Sequence, residues 1–211
     1  TISNDIKNRI TTMGKLFVHD KIIDPSILSA DSTLVKAKGH VWHKSSMKKK
    51  VVPRSGIDTD ARWGFSHTKG WVVGYRLHMV ASTGSITVPL SADFTTANIP
   101  DNQMYSILTA RSSLPVTIIK KTLYMSADPG YDDHELYDLS TELGFRLVCP
   151  VQRYKSTSAD RIKLIKFYKS KVGQAIYSLR STSIEPLIGH IKSAFRIDPL
   201  PVRGYAKGCA I

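Results

Sequence analysis

Ile27-Leu28-Ser29-Ala30-Asp31 and Leu123-Tyr124-Met125-Ser126-Ala127-Asp128 are the stretches that decide how this chain folds. Each is a short apolar run closed by an aspartate. Aspartate is depleted in strands, so an aspartate ending an apolar run needs a reason. Turn initiation supplies one in each case, with Ser32-Thr33 after the first run and Pro129-Gly130 after the second. A third acid, Glu185, opens a helical pattern in Ser183-Ile184-Glu185-Pro186-Leu187. Its local alternative is a capping box in Thr182-Ser183-Ile184-Glu185, with the glutamate bonding back to the N-cap amide.

Working outward, the first run belongs to a strand spanning Ile22 to Val35 with its approach. Trp71–Ala81 and Ser85–Leu90 read as a hairpin around Ser82-Thr83-Gly84. Pro100-Asp101 precedes a helix to about Arg111, with Met104, Ile107 and Leu108 on one side. Leu123–Ala127 is the next strand. Tyr131–Leu143 is a helix, with Asp132, Asp133 and Glu135 in its first turn and Gly144 at its end. Phe145–Val151 is a further strand, and Arg161–Lys169 and Ser183–Phe195 are helices. Strands alternating with helices predict an α/β fold, a mixed sheet flanked by helices on both faces. In such sheets functional groups gather at the carboxyl ends of strands, where Asp31 and Asp128 are expected. Met104 and Trp71 are expected in the core, and His78 as a packed or surface histidine.

The 211 residues suffice for one ample domain or two very small ones, and 42% hydrophobic with 22% charged residues is ordinary for a globular protein. No apolar run approaches the ~18 residues of a spanning helix, and the N-terminus has no signal-peptide pattern, so no membrane partner is expected. Cys149 lies in a strand-like run and Cys209 near the end, which suits a reducing cytoplasmic interior rather than a disulfide framework. His40 and His43 with either cysteine match no compact zinc spacing.

The net charge of +13 points to a polyanionic partner. Lys36 to Lys69 holds nine Lys/Arg and two Asp, a net of +7; Arg153 to Arg180 holds eight and one, again +7, so the remainder nets −1. A single charge run is usually a solvated face, but two runs carrying the whole excess favour phosphate contact. The first also holds His40, Trp42, His43, Lys48-Lys49-Lys50, Arg54, Trp63 and His67, a mixture of bases and aromatics suited to nucleic acid. Three carboxylates meeting at ~5 Å would repel by about 3 kcal/mol per pair at an effective dielectric near 20. Two divalent cations would relieve that repulsion and make a phosphoryl-transfer site.

The same residues resemble the catalytic domain of a bacterial or archaeal insertion-sequence transposase of the DDE type, in the ribonuclease H-like group. The matching segments are Ala30-Asp31-Ser32-Thr33, Ile57-Asp58-Thr59-Asp60-Ala61-Arg62-Trp63-Gly64, Gly70-Trp71-Val72-Val73-Gly74-Tyr75-Arg76-Leu77-His78 and Ala127-Asp128-Pro129-Gly130-Tyr131. Tyr177, Arg180, Glu185 and Lys192 follow in the spacing of the family's tail motif, except that four residues rather than three separate Arg180 from Glu185, and Pro186 follows the glutamate. The resemblance runs from about Ile27 to Arg203. It implies a ribonuclease H-like domain over 27–203, a lead-in at 1–26 that could derive from a DNA-binding region, and a tail at 204–211. It implies Asp31, Asp128 and Glu185 as catalytic ligands of two Mg²⁺ or Mn²⁺ ions. Tyr177, Arg180 and Lys192 would hold DNA phosphates, with Lys48, Lys49, Lys50, Arg54 and Arg62 from the basic segment as further DNA contacts. The implied activity is cleavage of transposon-end DNA and its joining to target DNA, by a homodimer on the DNA in the prokaryotic cytoplasm, beside the nucleoid. A stand-alone nuclease or an inactive DNA-binding descendant are the alternatives.

Overall fold

The computed structural model describes residues 2–66, 69–112, 123–151 and 158–211. Helix α1 (Ile2–His19) precedes strand β1 (Ile27–Lys36), short helix α2 (Lys44–Lys48), β2 (Arg62–Ser66), β3 (Gly70–Ser82) and β4 (Pro89–Thr96). Then come α3 (Asp101–Ser112), β5 (Leu123–Ser126), a 3-10 turn (Pro129–Tyr131), α4 (His134–Glu142) and β6 (Phe145–Val148). Helices α5 (Ala159–Lys169), α6 (Lys171–Thr182), α7 (Ile184–Ala194) and α8 (Tyr205–Gly208) complete the chain.

The six strands form one mixed sheet. β1 pairs antiparallel with β3 and parallel with β5, and β5 pairs parallel with β6. Gly74 of β3 pairs with Lys36 on one edge and Arg62 on the other, and Val80 with Ala30 and Ser91. β2 and β4 therefore lie end to end along one edge of β3, giving the order β4/β2–β3–β1–β5–β6. This is the expected mixed sheet with helices on both faces. β3 can run unbroken past its neighbours because Gly74 has no side chain: a Cβ there would sit 2.0 Å from the Val35 carbonyl oxygen.

Strand alternation sorts the core onto two faces. Leu28 and Ala30 of β1, with Leu123 and Met125 of β5, pack against Met104, Tyr105 and Leu108 of α3 and Leu136 and Tyr137 of α4. Leu28, Leu108, Leu123 and Met125 are almost wholly buried, each contributing roughly 1.5–3 kcal/mol. On the opposite face Met79 and Ala81 of β3 meet Ile184 and Ile188 of α7. Both ends of the chain join in. Phe17 and Val18 of α1 pack against the first core, and Gly208 of α8 lies against Phe94 and Leu200. The segment expected as a lead-in is thus mostly helix.

Several elements differ from expectation. The strand after Gly84 begins at Pro89, later than the predicted Ser85–Leu90, since the backbone needs more residues to turn onto the edge of β3. α4 begins at His134 because Asp133 caps it, accepting a bond from the Glu135 N–H, while Asp132 turns inward to Arg161. Gly144 follows α4 with φ of +80°, as its C-terminal position requires. The predicted strand to Val151 stops at Val148, and the Lys36–Gly70 stretch without a clean period holds α2 and β2. Ile107 faces outward, 41% exposed, while Met104 and Leu108 are buried. Trp71, expected in the core, is 59% exposed beneath Lys44. Both cysteines are free. Among the described residues no helix is long and apolar enough to cross a membrane. His67, Arg153 and Lys155 lie outside the described residues.

Candidate active site

Register brings the two aspartates to one level. The parallel pairing of β1 with β5 ends at Ser29 opposite Ser126, and each aspartate lies two residues beyond. Asp31 is not at a strand end as expected: β1 continues to Lys36 because its other edge stays bonded to β3. It is the parallel pairing that ends there, and this opens room beside Asp31 for the turn carrying Asp128. Asp128 caps that turn by accepting a bond from the Gly130 N–H at 2.9 Å.

Asp31 pairs across β3 with Met79, which packs under α7. Its side chain therefore faces the helices that follow Ser170. Arg180 of α6 meets it there, with a guanidinium nitrogen 3.2 Å from the carboxylate. The arginine side chain is 6% exposed, and its Nε has no hydrogen-bond partner among the described residues. Burial pushes the Asp31 carboxyl up to about 6, and the charge of Asp128 adds to this, despite Arg180 and the Ser32 N–H pulling the other way. Burial, then the charge of Asp101, raises Asp128 as well, while Arg180 and the Gly130 N–H oppose. One guanidinium does not compensate this desolvated pair.

Asp101, legible in sequence only as a helix start, belongs to the same neighbourhood. Its carboxylate accepts from Arg76 at 2.8 Å, and Arg76 also reaches the Ser32 hydroxyl at 3.2 Å. Buried His78 lies 3.5 Å from the same carboxylate and shares a hydrogen bond with the Thr95 hydroxyl. Burial would raise Asp101, but His78 and Arg76 outweigh it and hold the carboxyl down at about 2. Tyr131 of the Asp128-Pro129-Gly130-Tyr131 motif is fully buried edge-on against Tyr105, and its hydroxyl has no hydrogen-bond partner among the described residues. After burial, the charges acting most on that hydroxyl are Asp101, Asp31 and Asp128.

Glu185 stands apart. It is exposed in the first turn of α7, and the N-cap, Ser183, makes no side-chain capping bond, so the capping box does not form. Glu185 acts on Arg180 but is not among the main charges on Asp31 or Asp128. Among the described residues no three His, Cys, Asp or Glu side chains gather closely enough to hold a metal ion. Asp31 and Asp128 themselves suit a hard divalent cation: they offer half-buried carboxylate oxygens and uncompensated charge. The third expected ligand is not assembled with them.

The expected DNA contacts divide into two groups. Lys48, Lys49, Lys50, Arg54 and Arg62 are exposed, and Arg62 spends its guanidinium on the Thr59 and Ala61 carbonyls. Tyr177 is half-buried beside Arg180 and edge-on to Tyr168. Lys192 is occupied: its ammonium donates to the Leu34 carbonyl at 3.0 Å and to Asp198 at 3.4 Å.

The family description "Transposase DDE domain" matches residues 23–207. Nothing matches among curated proteins. Among solved structures, a piggyBac transposase synaptic complex with hairpin DNA is similar at 14% identity and a TM-score of 0.41, covering 70% of this chain and 28% of that one. A Mos1 transposase paired-end complex with the left transposon end is similar at 12% identity and a TM-score of 0.32, covering 91% and 60%. The Mos1 strand transfer complex gives 11% identity and a TM-score of 0.33, covering 93% and 61%. The chain thus spans less than two thirds of each of these.

Proposed function

The chain belongs to the transposase DDE domain family, and we propose that it is a catalytic domain that cleaves transposon-end DNA and joins it to target DNA. The observation that carries this reading is the level placement of Asp31 and Asp128 beyond the last parallel pair, half-buried and undercompensated in charge. Asp31, Asp128 and Glu185 would hold two Mg²⁺ or Mn²⁺ ions, which supply charge neutralisation at the phosphate and activation of water or a 3′-hydroxyl. Asp31 and Asp128 supply the fixed carboxylate oxygens, oriented by the Ser32 and Gly130 N–H groups. Glu185, exposed at the start of α7 and five residues on from Arg180, would complete the site by approaching when DNA draws Arg180 away. Arg suits bidentate contact with phosphate, so the same guanidinium can leave Asp31 for a DNA oxygen. The exposed bases at Lys48–Lys50 and Arg54 carry the flanking duplex. Two copies acting together on paired ends is part of this proposal.

The test is nicking and strand joining on plasmid DNA with Mg²⁺ or Mn²⁺. Metal-dependent nicking that Asp31→Asn abolishes is expected; equal nicking in EDTA contradicts the reading. Cleavage without joining assigns water as acceptor, a nuclease. Two observations favour the non-catalytic alternative: Arg180 sits on Asp31, and among the described residues no three His, Cys, Asp or Glu side chains gather closely enough to hold a metal ion. Metal-independent DNA binding with no nicking under any divalent ion would establish it.

A further inference from the structure

Behind the acid pair, at the far end of β1, the chain binds one of its own carboxylates in the manner of an oxyanion. Asp198 lies just beyond α7. Its Oδ1 accepts the Lys36 N–H at 3.0 Å, and its Oδ2 lies 2.6 Å from the Lys69 ammonium and 3.4 Å from that of Lys192. The three donors come from the end of β1, the approach to β3 and the last turn of α7. The Lys69 side chain is 36% exposed, while Asp198 and Lys192 are 16% and 18% exposed. Burial would raise Asp198, but Lys69, the Lys36 N–H and Lys192 outweigh it and keep the group ionised. Two ammonium groups and one backbone N–H converging on two oxygens is an arrangement that phosphate also satisfies.

We propose that Lys69, Lys192 and the Lys36 N–H form a binding site for a phosphate of the DNA backbone, and that Asp198 occupies it until DNA displaces the carboxylate. The proposal rests on the reading of this chain as a DNA-acting domain. Its occupant follows from charge: Lys36 and Lys69 are the two ends of a segment with a net charge of +7, in a chain of net +13. A phosphodiester is the anion such a field concentrates. Neither Lys69 nor the Lys36 N–H stands in any motif, and Lys192 is silent in the free protein because Asp198 neutralises it.

The experiment is duplex DNA binding across a salt series in EDTA, so that it does not depend on cleavage. Asp198→Asn keeps the shape and removes the competing charge. It is expected to bind duplex several-fold more tightly, with a salt slope steeper by about one to two, near 0.9 per lysine released. Asp138→Asn, at an exposed acid on α4, makes the same change in net charge and is expected to have a much smaller effect. Equal effects from the two, or none from Asp198→Asn, overturn the proposal. Lys69→Gln gives a reading that does not depend on how Asp198→Asn folds. It should weaken binding about threefold and flatten the slope by about 0.9, whereas a mere partner of Asp198 would leave both unchanged. Asp198→Asn stabilised by inorganic phosphate as strongly as by duplex would assign the site to free phosphate and overturn the DNA reading. If binding behaves as expected while no variant ever nicks DNA, the site stands and only the catalytic reading fails.

Discussion

Two charge clusters sit at different positions along β1, and each is closed by a residue of opposite sign. At Asp31 and Asp128 one arginine faces two half-buried carboxylates, and the acids are pushed up, Asp31 to about 6. At Lys69 and Lys192 one carboxylate faces two ammonium groups and is held below its ordinary range. The difference is in the neighbours, since the two side chains are about equally exposed, 17% and 16%. Asp31 shares one guanidinium with Asp128 and feels the charges of Asp128 and Asp101. Asp198 accepts from three groups. The acid cluster therefore calls for a stronger cation than a guanidinium, while the basic cluster is satisfied until a better anion arrives.

The largest expected effect tests the acid side. Asp31→Asn and Asp128→Asn should each lower metal-dependent nicking on the order of 10³-fold or more, as removal of a ligand that acts only at the reacting centre does. Plasmid nicking with Mn²⁺ measures it, and near-wild-type rates would break the comparison. Glu185→Gln should lower nicking as severely while leaving unfolding free energy within about 0.5 kcal/mol, because an exposed helix residue without a capping bond carries little stability. Loss of stability with activity intact would return Glu185 to a structural role.

A smaller effect concerns pH. The folded Asp31 carboxyl holds its proton to about 6, and an unfolded aspartate only to about 3.9. Between those values the folded state binds more protons, so stability falls as pH rises from about 4 to 6, by roughly 3 kcal/mol from this group. Chemical denaturation of metal-free protein should show that fall in wild type and a much shallower one in Asp31→Asn, which makes the variant the more stable protein at pH 7. Identical pH profiles would mean that Arg180 compensates Asp31 fully. The smallest effect, the roughly threefold weakening of duplex binding in Lys69→Gln, sharpens the basic side.

Much of the fold was legible because its signals are local. The apolar run before Asp31, the β5 run before Asp128 and the Gly144 stop each announce an element within a few residues. Helix α6 was missed as a separate element: its start depends on Ser170 capping Gly173, a signal lost between two basic helical stretches. Trp71 misled, since an aromatic in a strand pattern is as consistent with an edge covered by Lys44 as with a core. In the site, Asp31, Asp128 and Arg180 were legible as motif residues. Asp101 was not, because its meeting with Arg76 depends on where α3 docks on the sheet.

By itself the sequence determined the alternating elements, the two aspartates, the basic charge excess and the family. Those rest on periodicity, composition and motif order, which are properties of neighbours in the chain. Tertiary structure decided which charges face one another: Arg180 on Asp31, Asp198 on Lys69 and Lys192, and Glu185 outside the pair. Asp198 and Lys69 are separated by 129 residues, and no local pattern encodes their contact. It follows from the packing of α7 across the sheet, and electrostatic energy depends on those distances and on the water excluded between them.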